Sequence, residues 1–160
     1  MHAAAQKAAR TCPSVTPAAA SDLDEAGRQR FTLPRRHRLK RRSLIRPLFD
    51  RGRSDLFSIP AGSVRAVYRF ASPEEHRDRT SLQVGVFVSR RIGGAVARNR
   101  IRRKMREAYR RRHAELRHAL DGRPGLMTLA LVFRGKPDIS LSALVQDIDT
   151  IVDRLLTGLK

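Results

Sequence analysis

Eleven lysines and arginines between Arg90 and Arg112 face a single acid, Glu107, in a segment whose apolar residues recur at helical spacing. Ala97, Ile101, Met105 and Ala108 form one stripe of the helix, and Arg98, Arg102, Arg106 and Arg110 fall four apart on a neighbouring face. One glutamate cannot offset the self-repulsion of so many cations through intrahelical pairs. Solvated helix faces ordinarily mix both signs. A fold that accommodates this segment must therefore pack one side of a helix on a core and leave the other side to an external polyanion.

The remaining composition agrees with a folded, basic domain. A chain of 160 residues is long enough for one core, burying roughly two-thirds of its unfolded surface. The single cysteine, Cys12, allows no internal disulfide and has no partners at zinc-ligand spacing, which implies a reducing compartment and no structural metal. Thirty-four basic against fifteen acidic residues give +19, with 41% apolar residues, so nucleic acid is the leading partner. Residues 1–30 hold four basic and three acidic groups, which leaves +18 (thirty minus twelve) on residues 31–160. We read residues 1–30 as a disordered Ala-rich tail and residues 31–160 as the folded domain that carries the nucleic-acid-binding surface. No apolar run is long enough to cross a bilayer and Met1 to Ala20 lacks a secretory core, so the expected address is cytoplasmic, with no membrane contact.

Hydrophobic periodicity lays out the elements. Residues 33–46 form a second basic tract, in which Ser43 is placed to cap a short helix with Leu44, Leu48 and Phe49 inward and Pro47 in its first turn, ending by Gly52. Leu56 to Ile59 reads as a short strand, and Ser63 to Phe70 and Leu82 to Val88 as longer ones. The basic helix runs toward Leu120, a turn follows at Asp121 to Gly125, and Leu126 to Phe133 reads as a central buried strand. Leu141, Leu144, Val145, Ile148, Ile151, Val152, Leu155 and Leu156 predict a closing amphipathic helix. The expected fold is a two-layer α/β sandwich, in the order α-β-β-(β)-α-β-α, with one sheet face covered and the other open.

The chemistry points to binding. Gly93-Gly94, where a strand hands over to the helix, allows positive φ and bare backbone N–H groups beside the positive helix end, which suits a phosphate or is simply steric. Arginine outnumbers lysine here, and its planar fork binds phosphate bidentately and stacks on bases. The basic segments lack the clustered carboxylates of a two-metal nuclease, Gly-x-Ser-x-Gly is absent, and His113 and His118 are read as surface residues without a zinc motif, so no catalytic or metal-binding residue is assigned. Tyr68, between Arg65 and Arg69, is either a stacking platform for an unpaired base or a half-buried strand tyrosine.

The run Ser89-Arg90-Arg91-Ile92-Gly93-Gly94-Ala95-Val96-Ala97-Arg98-Asn99-Arg100-Ile101-Arg102-Arg103-Lys104-Met105-Arg106-Glu107-Ala108-Tyr109 resembles the signature of the protein subunit of bacterial ribonuclease P. Arg38-Leu39-Lys40 leading to Leu48-Phe49 and Gly52, the strand Val84-Gly85-Val86, and Lys136-Pro137 extend the resemblance over roughly residues 33–156. It implies a protein that joins a catalytic RNA and precursor tRNA and assists endonucleolytic removal of the 5′ leader, an endoribonuclease in which RNA and magnesium, held mainly by the RNA, perform the hydrolysis. No obligate protein partner is implied. Contacts to the catalytic RNA map onto Arg90, Arg91, Arg98, Asn99, Arg100, Arg102, Arg103 and Arg106. The leader maps onto Ile45, Phe49 and Tyr68, in a cleft between the sheet and the first helix, with Arg36 and Lys136 assigned beside them. A left-handed β-α-β crossover through the basic helix is also implied, against the usual rule.

The chain departs from that pattern in three places. Gly94 replaces a usual asparagine, Ile45 stands where an aromatic is common, and Asp55 to Ser63 is longer than typical. Charge and fold class alone fit a structural RNA-binding protein equally well, and the extended signature separates the two. A membrane-binding amphipathic helix would need large exposed apolar residues, whereas Ile101 and Met105 fall on the core stripe.

Overall fold

The computed structural model describes residues 33–50, 52–76 and 80–159, and the expected tail, residues 1–30, lies outside them. In chain order the elements are α1 (Arg42–Ile45), β1 (Phe57–Ala61), β2 (Val64–Ala71), β3 (Leu82–Val88), α2 (Ala95–Arg110), α3 (His113–Leu120), β4 (Leu126–Phe133) and α4 (Leu141–Gly158). The four strands form one sheet in the order β1-β2-β4-β3. β1 and β2 form a hairpin, β2 and β4 pair antiparallel, and β3 lies parallel to β4 through the α2–α3 crossover.

Strand alternation sorts the side chains into two cores. Val64, Ala66, Leu82, Val84, Met127, Leu129, Leu131 and Phe133 meet α2, α3 and α4 on one face. Leu39, Leu44, Leu48, Ala71, Leu126 and Ala130 form a smaller cluster on the other. β4 is apolar on both sides because it is central and covered on both, as its sequence predicts. α4 buries Leu144, Ile148, Ile151, Val152 and Leu155, each worth about 1.5–3 kcal/mol relative to exposure. Its start is capped by Ser140, whose Oγ accepts the Ala143 N–H at 3.1 Å. Pro60 sits within β1, which is tolerated because β1 is an edge strand.

Four features differ from the sequence expectations. Ser43 lies inside α1 and does not cap it, since Arg41 holds the N-cap position. Pro47 cannot donate to an α-helical ladder, so residues 46–49 tighten into a 3-10 turn and swing Phe49 outward to 49% exposure. The second sheet face is partly covered by α1 rather than open. The basic helix breaks at residues 111–112, where Arg112 is drawn to Glu115 and Asp153, both at 2.7 Å, and to Asp149 at 3.5 Å. Those hydrogen bonds, Glu115 first, hold the Arg112 guanidinium above its ordinary pKa.

Candidate RNA interface

The entry to α2 is built from backbone geometry. Ser89 Oγ accepts the Arg91 N–H at 3.3 Å, closing a 3-10 turn over Arg90–Ile92. Gly93 follows at φ 142°, a conformation that disfavours any side chain, and Gly94 is extended at φ −66°. The Arg98 guanidinium folds back to donate to the Gly93 carbonyl. Arg102 donates to Asn99 Oδ1 at 2.9 Å, Lys104 to the Ile139 carbonyl at 2.6 Å, and Arg110 pairs with Glu107.

These internal bonds divide the arginines of α2. Ile101, Met105, Ala108 and Tyr109 are buried, while Asn99, Arg100, Arg103 and Arg106 are exposed. Arg98 and Arg102 are half-buried at the border between the two sets. Among the described residues no carboxylate lies within ion-pair distance of Arg90, Arg91, Arg98, Arg100, Arg102, Arg103 or Arg106. The outward surface is thus Asn99, Arg100, Arg103 and Arg106, with Arg90 and Arg91 exposed at its entry. Such a surface offers charge-assisted donors at several points to an acceptor-rich strand.

A groove runs along the other sheet face beside α1. Its apolar members are Ile45, Val67, Phe87 and Val132, all half-buried against the smaller core. Phe49 meets Phe87 edge to face with ring centroids 5.1 Å apart. Gly85 leaves room for the Phe87 ring, since a Cβ there would lie 2.6 Å from Phe87 Cε2. Arg65 shares this face by alternation, opposite Val132. Sequence reasoning missed Val67, Phe87, Val132 and Arg65; alternation would have grouped them, but it does not say which face lies under α1.

Tyr68 corrects an expectation. It pairs in register with Leu129 and packs on the larger core, so it lies on the sheet face opposite α1 and outside the groove. There it stacks on Phe57 at 5.2 Å and meets Phe70 at 6.3 Å, and burial raises its phenol pKa. Arg69, its expected cationic neighbour, is 2% exposed and bonded inward to Glu75 at 2.6 Å and Asp55 at 3.1 Å. Hydrogen bonds from Arg53 and then Arg69 hold the Asp55 carboxyl well below the usual carboxylate range.

The other assigned residues are placed separately. Arg36 opens onto a basic cavity beside α3, and Lys136 is exposed in the loop after β4. His113 is not a simple surface residue. Its Nε2 lies 2.8 Å from His37 Nδ1 and its Nδ1 lies 3.2 Å from the Tyr109 hydroxyl, a chain that ties the segment before α1 to α2. Burial drives the Tyr109 phenol far above its ordinary pKa. Among the described residues no group of three His, Cys, Asp or Glu side chains is arranged to hold a metal ion. No described helix is long and apolar enough to cross a membrane.

The Ribonuclease P family model matches residues 33–156. The chain belongs to the ribonuclease P protein family. It is 32% identical over 131 residues to the ribonuclease P protein component of Streptomyces avermitilis, covering 79% of this chain and 97% of that one. The corresponding protein of Acidothermus cellulolyticus is 43% identical over 74 residues, 46% of this chain and 55% of that relative. The fold matches the ribonuclease P protein from Thermotoga maritima with a TM-score of 0.53 at 19% identity, covering 73% of this chain and 96% of that one. A ribonuclease P protein of Staphylococcus aureus matches with a TM-score of 0.51 at 16% identity, covering 74% and 94%. The chain is therefore the protein component of ribonuclease P, an endoribonuclease that works in tRNA processing as a ribonucleoprotein with an RNA partner.

Proposed function

We propose that the RNA partner is the catalytic RNA of ribonuclease P, held on the outward face of α2, and that the groove beside α1 receives the 5′ leader of precursor tRNA. The observation that carries this reading is the run of exposed arginines on α2 without carboxylate partners among the described residues. Arg100, Arg103 and Arg106, with Arg90 and Arg91 at the entry, neutralise backbone phosphates and displace their counterions. Asn99, held by Arg102, presents its amide N–H groups to sugar or base edges.

In the groove, Phe49 and Phe87 provide the aromatic surface on which unpaired leader bases stack, and Ile45 adds apolar contact without a ring. Arg65 on the same face and Lys136 at the loop beyond β4 supply cations along the leader's path. The protein binds and orients RNA, and the hydrolytic centre, with magnesium, belongs to the RNA subunit. The domain comprising residues 31–160 is the RNA-binding unit, working in the cytoplasm.

The test is affinity of the reconstituted ribonucleoprotein for precursor tRNA with and without its leader, compared between wild type and Phe49→Ala. The reading expects a loss confined to the leader-bearing substrate. Equal losses for both substrates would remove the groove from leader recognition.

A further inference from the structure

A cavity of about 620 Å3 lies between the segment before α1, the start of β3 and α3, apart from both the outward face of α2 and the Phe49–Phe87 groove. Ligand cavities of this size are ordinarily lined by apolar side chains, and this one is lined by cations. Arg35, Arg36, Arg38, Lys40 and Arg41 approach from one wall and Arg117 of α3 from the other, with Ser81 and the buried Gln83 between them. Among the described residues of the lining the one carboxylate is Asp121, which lies 3.3 Å from His118 Nδ1.

The base of the cavity is tied to the sheet. The Leu39 N–H donates to the Val84 carbonyl at 3.0 Å and Arg38 bridges to Val84, so the basic segment runs as an added edge along β3. His37, 5% exposed, fastens the same segment to His113, the first residue of α3. Among the described residues, Arg35, Arg36, Arg38, Lys40 and Arg117 against one carboxylate leave a surplus that a single phosphodiester, with one charge, does not balance.

The basic surface continues. A second hollow of about 360 Å3 shares Arg38 and Lys40 with the first and extends along Val84–Phe87 to Arg106 of α2. The two hollows thus join through Arg38 and Lys40, with Arg106 of α2 at one end, the backbone edge of β3 between, and Arg117 at the other end. We infer that the cavity between residues 35–41 and α3 is a further RNA site, which holds consecutive backbone phosphates of a strand that leaves α2 at Arg106. Guanidinium forks from two walls bind the phosphate oxygens in pairs, and the Ser81 hydroxyl adds a neutral donor. This rests on the RNA-binding reading of α2 for its occupant, and commits to a strand because the two hollows share Arg38 and Lys40 and together reach from Arg106 to Arg117.

The experiment follows backbone amide resonances of the full chain by NMR. The probes are inorganic tripolyphosphate and a 12-nucleotide single-stranded RNA with either a 5′-hydroxyl or a 5′-triphosphate. Tripolyphosphate is expected to shift Thr80, Ser81 and Gln83 saturably, and Arg35→Gln/Arg117→Gln to weaken that binding at least about tenfold. Arg117→Gln alone is the second variant, to be used where the pair lowers the melting temperature. Equal shifts of Thr80, Ser81 and Gln83 by both RNAs support the site as a strand site. Shifts from the triphosphate-ended RNA alone overturn the strand and leave a pocket for terminal polyphosphate. RNA shifts confined to residues 99–106 overturn the cavity while leaving the α2 reading intact, and absence of RNA shifts on α2 as well overturns both.

Discussion

Replacing Arg100, Arg103 and Arg106 together with alanine removes the three most outward cations of α2 without touching its packing. All three are exposed, and none has a carboxylate within ion-pair distance among the described residues. Exposed substitutions of this kind move stability by about 0.5 kcal/mol or less each, and alanine is the better helix former. The melting temperature should hold or rise slightly as self-repulsion is relieved. Three lost phosphate contacts should reduce the slope of log K against log salt by about 2.7, which between 50 and 200 mM salt amounts to roughly a 40-fold smaller loss of affinity than in wild type. The assay is equilibrium binding to the catalytic RNA across that salt range. A variant that binds more weakly at every salt concentration with an unchanged slope would refute the phosphate role of this face. Arg98→Ala should behave differently, because its guanidinium is spent on the Gly93 carbonyl, and the entry to α2 should loosen instead.

Other substitutions test the remaining parts. Loss of the Phe49 ring should cost about 1–3 kcal/mol of leader affinity, the range for a stacked base, whereas Tyr68→Ala, on the opposite sheet face, should change precursor and mature tRNA binding equally. Gly62→Ala should lower stability by about 1–3 kcal/mol in denaturant titration, because Gly62 has φ +48° and a Cβ would lie 2.0 Å from Asp147 Oδ1. Gly94→Ala, in open space, should leave stability unchanged. The folded-state pKa of Asp55 is lowered, so its contribution is present above the unfolded value of about 3.9 and is lost as pH falls below it. Asp55→Asn should therefore flatten the stability profile below about pH 4 and leave its slope above pH 6 unaltered, as followed by urea titrations across pH.

The order of elements, the central position of β4 and the amphipathic α4 were legible because hydrophobic periodicity is local. The groove was not, for a tertiary reason. Alternation along β2 separates Val67 from Tyr68 in the sequence, but only the docking of α1 over Val67, Phe87 and Val132 decides which set lines a binding surface. Arg69 reads as an available cation until Asp55 and Glu75 fold over it from either side of β2. The break between α2 and α3 depends partly on Asp149 and Asp153, about forty positions further along the chain, so residues 111–112 carry no turn signal of their own. The outward set on α2 differs from the four-residue ladder of arginines because Arg98 bonds the Gly93 carbonyl, which spacing does not show, and Arg110 pairs with Glu107 three positions before it, which spacing does show.

The central claim is that this protein works only through an RNA partner. The most direct measurement is 5′-leader cleavage of precursor tRNA at low magnesium by the catalytic RNA alone, the protein alone, and the two combined. Cleavage stimulated only by the combination is the predicted result. Cleavage by the protein alone, or no stimulation despite confirmed tight binding to the catalytic RNA, would contradict it.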